Sequence, residues 1–215
     1  MRATSMTAPI DQPPPPRLGP PSEQLTPRQR EVLDDLEAII VAEGFAHLTV
    51  GELARRLRCS RRTLYELAPT KDDLVLLVID RRLRRTGAIA REHMAAADDP
   101  GDKIDAYLIR SGLRPTSLRF ADDVAAHPAA HRLFGDHYHF AITMLADVLR
   151  AGMATGRVRP VDPLVVGEII DAALERLARP DVLRATGRSF FDLAEDLSAL
   201  VRYGLLLEPA SDDDR

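Results

Sequence analysis

The chain is poor in the features that mark secreted and membrane-spanning proteins. A single cysteine among 215 residues excludes an intramolecular disulfide framework and is typical of a reducing compartment. No apolar run approaches the ~20 residues of a membrane span, and the N-terminus carries no apolar signal core. We therefore expect a cytoplasmic protein that has no membrane partner.

Signatures of enzymes and of β-structure are also missing. The sequence contains neither a glycine-rich phosphate loop nor a nucleophile elbow. No segment alternates apolar and polar residues over a useful length, as a half-buried strand would. The sequence predicts an all-α protein that is not an enzyme, has no catalytic residues and uses no cofactor.

The charge is unevenly distributed along the chain. A formal net charge of −4 argues against uniform coating of nucleic acid, so any DNA contact requires a local basic patch. Residues 49–74 contain such a patch, with no acidic residue between Glu52 and Glu66. Its arginines are Arg55, Arg56, Arg58, Arg61 and Arg62.

Polar capping residues define the helices around this patch. Thr26 opens a first helix that ends at Gly44, and Thr49, Ser60 and Thr70 open the next three. Apolar residues at helical spacing give these helices a buried face. They include Leu36, Leu53, Leu57 and Leu64.

The capped helices and the composition divide the chain into segments. We predict a disordered proline-rich tail over residues 1–25 and a disordered acidic tail over 208–215. Between them lie a three-helix head (26–70) and a larger helical body (71–207), which begins with a linking helix over 71–97. Proline and glycine breaks predict further helices near 102–112, 116–126, 129–155, 163–178 and 189–207.

The head carries a set of motifs in a fixed order and spacing. They are Gly44-Phe45, Thr49-Val50, Leu53-Ala54, Ser60, Thr63-Leu64-Tyr65, Pro69 and Lys71-Asp72-Asp73-Leu74. Together they resemble the N-terminal DNA-binding domain of TetR-family transcriptional regulators. The resemblance implies a helix-turn-helix head, a ligand-binding body and a homodimeric, usually repressing regulator. In such a regulator, DNA affinity changes when a small molecule occupies the body.

The DNA contacts follow partly from the residues and partly from the resemblance. Arg61, Arg62 and Thr63 are predicted to face the major groove, where arginine can pair with guanine O6 and N7. The helix N-terminus at Ser60 offers backbone donors to phosphate. The resemblance adds phosphate contacts from Thr49, Tyr65 and Lys71.

Two residues depart from the family pattern around the recognition helix. Arg58 occupies the turn position where the family usually has glycine, and a left-handed backbone there would cost ~1 kcal/mol or more. Ala68 stands where the family usually has an aromatic residue, so we expect a looser core beneath the helix. Cys59, in the same turn, is predicted to be a small apolar filler rather than a redox switch.

The histidines of the body do not predict a metal site. His127 and His131 are four residues apart, which can place two ligands on one helical face. Pro128, however, is expected to begin the helix and to leave His127 as its cap. His137 and His139 cannot share a face.

Aromatic residues concentrated between Tyr107 and Phe140 suggest a pocket for a small, largely apolar effector. Plain core packing is the alternative for each residue, and Tyr138 could anchor a polar group. The candidate pocket residues are Leu108, Phe120, Val124, Leu133, Phe134, Tyr138, Ile142 and Leu145.

The last two predicted helices carry apolar stripes suited to a homodimer. The alternative is that both stripes are buried inside the monomer. A dimer would place two recognition helices about one DNA turn apart and would require a near-palindromic operator. The stripes are Val166, Ile169, Ile170, Ala173 and Leu177, then Leu193, Ala194, Leu197, Leu200, Val201 and Leu205.

Two other functions remain open at the level of sequence. One is a helical protein-interaction module whose basic head binds an acidic partner protein. The other is a small-molecule sensor or carrier whose head does not bind DNA, an interpretation that Arg58 and Ala68 keep open.

Overall fold

The computed structural model describes residues 15–108 and 116–206 of the chain. The head comprises α1 (Pro27–Glu43), α2 (Val50–Arg56) and α3 (Arg61–Leu67), and α4 (Lys71–Ala96) leads from it into the body. The body comprises α5 (Pro100–Leu108), α6 (Leu118–Ala126), α7 (Pro128–Ala154), α8 (Pro163–Leu177), α9 (Pro180–Thr186) and α10 (Phe190–Leu205). These described ranges contain no strand, only an isolated bridge between Val158 and Leu206. The all-α prediction is confirmed.

The predicted caps set the bounds of the head helices. Thr26 and Gln29 form a reciprocal capping box at the start of α1, and Gly44 ends that helix with a φ of 79°. The hydroxyls of Thr49, Ser60 and Thr70 each accept the backbone N–H three residues ahead. Each bond satisfies an amide that the first turn of a helix leaves without a partner. The local sequence therefore determines where α3 begins.

Residues 15–25, which we call the N-terminal strap, differ from the predicted disordered tail. Leu25 is buried in the head core, and the Leu18 amide donates to Asp80 Oδ2 at 3.1 Å. Arg84 Nη2 donates to the Pro15 carbonyl at 2.6 Å. Leu18 and Leu25, together with Asp80 and Arg84 of α4, therefore hold this segment in place, although its composition alone predicts disorder. The remainder of the predicted tail, residues 1–14, lies outside the described residues.

The body agrees with the predicted order of helices except at α9. Residues 179–187 were expected to be a break, but Pro180 occupies the first turn of a short helix that Gly187 ends with a φ of 65°. Proline interrupts a helix interior yet suits its first turn, which needs no amide donor there. Residues 109–112, predicted to continue α5, lie outside the described residues.

The apolar core consists of two clusters. The first joins the head and α4 to Phe120, Ala130 and Leu133 of α6 and α7. The second joins α5, α7, α8 and α10 around residues that include Ile104, Leu145, Leu149 and Ile170. Phe45, which follows α1, packs edge-on against Phe120 with ring centroids 6.2 Å apart. The core of the head is therefore continuous with α6 and with the start of α7.

The apolar stripes predicted on the last helices are mostly buried within the monomer. Ile170, Leu193 and Ala194 are buried, and other members pack against the second cluster. Of the predicted stripes, Ile169 and Leu200 are exposed, at 62% and 70%. The prediction selected the core-facing side of each helix, because that side is the more continuously apolar. Val165 and Tyr203 are also exposed on these two helices.

Candidate nucleic-acid interface

Helix α3 presents a polar outer face above a small apolar base. Leu64 is buried in the core, as predicted, and so is Leu67. The Ser60 hydroxyl accepts the Thr63 amide at 3.0 Å and lies 3.0 Å from the Thr63 hydroxyl. Because this cap fixes the start of the helix, it also fixes which residues face outward. The outward residues are Arg61, Arg62, Tyr65 and Glu66, with Thr63 half-buried.

The other two predicted phosphate contacts flank α3 in sequence. Thr49 is exposed at the start of α2, where its hydroxyl accepts the Glu52 amide at 3.2 Å. Lys71 is half-buried at the start of α4, and its Nζ donates to the Ala46 carbonyl at 3.0 Å. Both predicted residues therefore already have a partner within the protein.

The five arginines of the basic patch differ in their ion pairs. Arg62 Nε donates to Glu66 Oε1 at 3.0 Å, one helical turn away. Arg56 pairs with Glu43 at 2.5 Å, and this hydrogen bond holds the pKa of Glu43 below its ordinary value. Within residues 15–108 and 116–206, no carboxylate pairs with the other three, which are Arg55, Arg58 and Arg61.

Arg61 lies across the first turn of α2. A Cβ built on Gly51 would come within 2.5 Å of Arg61 Nη2 and 3.1 Å of its Cζ. The glycine therefore leaves room for the guanidinium at this position. We call the exposed side chains of Arg55, Arg58, Arg61, Arg62 and Tyr65 the recognition surface.

The turn between α2 and α3 is left-handed at Arg58. Arg58 has a φ of 49°, in the left-handed region that favours glycine. Cys59 is half-buried against the first core cluster, and burial raises the pKa of its thiol. A raised pKa disfavours the reactive thiolate, in line with the prediction of a filler residue. Ala68 is buried at the end of α3.

Asp123 of α6 holds the loop that follows α1. Its Oδ2 accepts the amides of Phe45 and Ala46, at 2.5 and 2.9 Å. The Ala46 carbonyl in turn accepts from Lys71. The sequence pattern assigns no role to Asp123. No short-range pattern could reveal its role, since 78 positions separate it from Phe45.

The histidines considered as metal ligands have separate partners. His127 caps α7 as predicted, with Nδ1 accepting the Ala130 amide. His137 Nε2 lies 3.0 Å from Asp80 Oδ1, and His131 Nε2 lies 3.9 Å from Glu175 Oε1. Across the described residues, no three side chains converge to form a metal site.

The predicted effector residues are divided between the two core clusters. Phe120 and Leu133 are buried in the first, and Val124 and Phe134 pack against it. Phe134 lies between Phe120 and Tyr138, with ring centroids 6.3 and 6.1 Å away. The second cluster contains Leu108 and Leu145. Ile142 is buried and closely approaches Gly167 of α8.

Two tyrosines and a carboxylate occupy the region where α5, α7 and α8 meet. Burial, and then the nearby Asp171, raise the pKa of Tyr138 to about 12 and raise that of Tyr107 further. Burial also raises the pKa of Asp171, with a further contribution from Glu168. Neither tyrosine hydroxyl has a hydrogen-bond partner in the described part of the chain, so both can bind a polar group.

The similarity of this chain to known proteins lies in its fold. No protein-family model matches the sequence, and no curated protein matches it. Similar solved structures include the reduced form of NemR from E. coli, at 15% identity and a TM-score of 0.67. That alignment covers 86% of this chain and 100% of NemR.

A second similar structure is a TetR-family transcriptional regulator from Agrobacterium tumefaciens, at 14% identity and a TM-score of 0.63. The alignment covers 84% of this chain and 98% of that one. The chain has the TetR-family fold. Another protein with this TetR fold is a transcriptional regulator from Saccharomonospora viridis, solved in complex with choline. It shares 18% identity and a TM-score of 0.66, over 84% of this chain and 98% of its own.

Two of these three similar proteins, those from Agrobacterium tumefaciens and Saccharomonospora viridis, are described as transcriptional regulators. Among the described helices, none combines the length and apolarity needed to cross a membrane.

Proposed function

We propose that the chain is a DNA-binding transcriptional regulator that reads a duplex operator through α3. One observation carries the proposal. The helix-turn-helix pair presents three exposed arginines without carboxylate partners among the described residues: Arg55, Arg58 and Arg61. Cations placed in this way can meet phosphates and base edges without first breaking an ion pair. Residues 26–70 would then form the DNA-binding domain and residues 71–207 the regulatory domain of a cytoplasmic protein.

Each residue of the interface has a proposed role. Arg61 and Arg62 pair with guanine edges in the major groove, and Thr63 contacts bases beside them. The α3 N-terminus at Ser60 donates backbone amides to a phosphate. The remaining phosphate contacts come from Thr49, Tyr65 and Lys71.

We further propose a homodimer formed through α8 and α10. The support is the exposed apolar set of Val165, Ile169, Leu200 and Tyr203, which the monomer leaves uncovered. Two helices from each subunit can bury such a set in a four-helix bundle. A dimer of this kind binds a near-palindromic operator and acts as a repressor that an effector releases.

The effector is proposed to be small and largely apolar, bound between α5, α7 and α8. Leu108, Ile142 and Phe134 offer apolar contacts there, and Tyr138 offers a hydroxyl to which no described residue is hydrogen-bonded. Ligand sites typically combine such apolar walls with a few polar anchors. One similar regulator was solved with choline, so a protein of this fold has been seen with a small organic ligand. Phe120 and Val124 of α6 complete the proposed set.

The decisive experiment is selection of bound sequences from random duplexes, followed by titration of the selected duplex against salt. We expect a near-palindromic consensus and an affinity that falls steeply as salt rises, since phosphate contacts release counterions. Lys71→Ala is expected to weaken binding to all duplexes alike. Failure to enrich any sequence would favour the protein-interaction module or the carrier.

The dimer and the effector need separate measurements. Light scattering at micromolar concentration should give a dimer, and Ile169→Glu should give a monomer with an unchanged circular dichroism spectrum. A ligand screen should find apolar molecules that raise the melting temperature and weaken operator binding. A monomeric wild type would contradict the dimer, and a screen without such molecules would contradict the effector.

A further inference from the structure

Arg58 is strained by its position in the turn between α2 and α3. Among the described residues, Arg58 is the only non-glycine residue with a positive φ, which is 49°. A side chain with a β-carbon is disfavoured in this region, whereas glycine adopts it readily. Strained residues persist only when their surroundings hold them, and they concentrate at functional sites. Another part of the protein must therefore hold this turn in place.

Arg28, in the first turn of α1, reaches this turn from across the head. Its Nη2 donates to the Leu57 carbonyl at 3.0 Å and to the Arg58 carbonyl at 3.2 Å. Its Nη1 donates to Glu31 Oε2 at 3.1 Å, which fixes the guanidinium on α1. One planar side chain thus ties α1 to both residues at the end of α2.

The position suits a cation for two reasons. The last carbonyls of a helix lack intrahelical donors, and the C-terminal end of the helix dipole attracts positive charge. The amides of the turn already have partners within α2: Arg58 donates to the Arg55 carbonyl and Cys59 to the Ala54 carbonyl. Arg28 therefore supplies the donors that the two carbonyls require.

We infer that Arg28 is a positioning residue for DNA recognition, which holds Arg58 left-handed and thereby fixes the angle between α2 and α3. The inference rests on the proposed function. It explains how the chain keeps an exposed arginine at a turn whose backbone favours glycine. Arg28 acts through the turn and need not contact DNA itself.

A double-mutant cycle tests the inference. The variants are Arg28→Ala, Arg58→Gly and the double variant, each measured for urea unfolding and for affinity to the selected duplex. Arg28→Ala should lower the folding equilibrium constant and the duplex affinity about tenfold each, the size of a typical coupling between contacting residues. In the Arg58→Gly background the loss of duplex affinity should be much smaller, because glycine keeps the left-handed turn unaided. The loss in the folding equilibrium constant should be similar in both backgrounds, because the same two backbone carbonyls lose their donor.

Two further variants separate positioning from general charge. Arg30→Ala removes an exposed cation from the same helix without touching the turn. Its effect on duplex affinity should be the same in the wild-type and Arg58→Gly backgrounds. Arg28→Lys keeps the charge but loses the planar fork, and it should recover only part of the affinity. Preference for the selected duplex over a scrambled one should fall with Arg28→Ala at temperatures where both proteins are folded.

Equal losses of duplex affinity from Arg28→Ala in the wild-type and Arg58→Gly backgrounds would overturn the inference. Unchanged duplex preference in a folded Arg28→Ala protein would overturn it as well. If Arg28→Ala does not fold, Arg28→Lys takes its place in the cycle, with the same two outcomes. If the wild type binds no duplex, the proposed function fails, while a crystal structure of Arg28→Ala still decides whether Arg28 holds the turn: Arg58 should leave the left-handed region, and an unchanged φ would contradict the inference.

Discussion

The arginines of the recognition surface and those of the seam between α1 and α4 have opposite surroundings. On the recognition surface, Arg55, Arg58 and Arg61 have no carboxylate partner among the described residues. Across the seam, Arg81 pairs with Asp34, and both Arg82 and Arg85 pair with Glu37. Arg84 pairs with Asp80 within α4 itself. The same residue type therefore stabilises the fold in one region and remains available to a partner in the other.

Burial accounts for the difference. The side chains of Arg82 and Glu37 are 6% and 7% exposed, so each charge depends on the other for the solvation it has lost. Among the described residues, Glu37 Oε2 has no hydrogen-bond partner, so this part of the structure leaves one oxygen of the network unsatisfied. Arg62, by contrast, is 88% exposed, and water replaces its ion pair at little cost. Substitutions in the seam should therefore act on stability, and those on the surface should act on DNA affinity.

The largest effect is expected from Glu37→Leu. This change removes the carboxylate that Arg82 and Arg85 both contact and should lower the free energy of unfolding by about 3 kcal/mol. Urea unfolding followed by circular dichroism measures the loss. Glu66→Gln, which breaks an exposed pair, is the matched control, with an expected loss below about 0.5 kcal/mol. Similar losses in the two variants would abolish the distinction between the regions.

Asp80→Asn should lower the free energy of unfolding by about 2 kcal/mol at pH 7. Burial tends to raise the pKa of Asp80, but hydrogen bonds from His137, Arg84 and the Leu18 amide outweigh it and lower the pKa. A lowered folded-state pKa means that the carboxylate stabilises the protein above about pH 4. This stabilisation is lost as the pH falls through the folded-state pKa.

The pH dependence gives a direct check on Asp80. Urea midpoints measured between pH 7 and pH 3 should converge for the wild type and Asp80→Asn in the most acidic samples. A constant difference across that range would mean that ionisation of Asp80 contributes nothing.

On the recognition surface, Arg61→Ala should lower the affinity for the selected duplex about 10- to 100-fold and relax base preference at one position. Its urea midpoint should stay close to that of the wild type, since no carboxylate loses a partner. Arg188→Ala, which removes an exposed, paired arginine from the start of α10, is the control and should leave DNA affinity unchanged. Gel-shift titration at fixed salt distinguishes the two variants.

The smallest effect is expected from Glu66→Gln in the DNA assay. It releases Arg62 from its pair at almost no cost in stability, so DNA affinity should rise about twofold. The rise should be absent in the Arg62→Ala background. A fall in affinity would mean that Glu66 orients Arg62 toward DNA rather than competing for it.

Sequence reasoning succeeded where structure is local. The hydroxyls of Thr26, Thr49, Ser60 and Thr70 set helix starts within three residues of themselves, so the head could be predicted closely. Arg58 was singled out as the residue that a left-handed turn would strain, and its φ is 49°.

The contacts that could not be predicted from the sequence join residues that are far apart in the chain. The strap is held by Asp80, 62 positions after Leu18, and the loop after α1 is held by Asp123, 78 positions after Phe45. A run of basic residues likewise does not predict which of its arginines, such as Arg62, form ion pairs. The division of the α8 and α10 stripes between core and surface could not be predicted for a related reason: helical spacing reveals an apolar face but not which neighbour covers it.

The strap has a practical consequence for experiments on this protein. From Leu25 it runs along α4 until Pro15 meets Arg84, which lies 13 positions beyond Lys71 in that helix. At 1.5 Å per residue, this junction is roughly 20 Å along the helix axis from the end of α4 that adjoins the recognition surface. A fluorophore attached at Arg17 should therefore report on the junction between linking helix and body, at a site where it does not obstruct an operator.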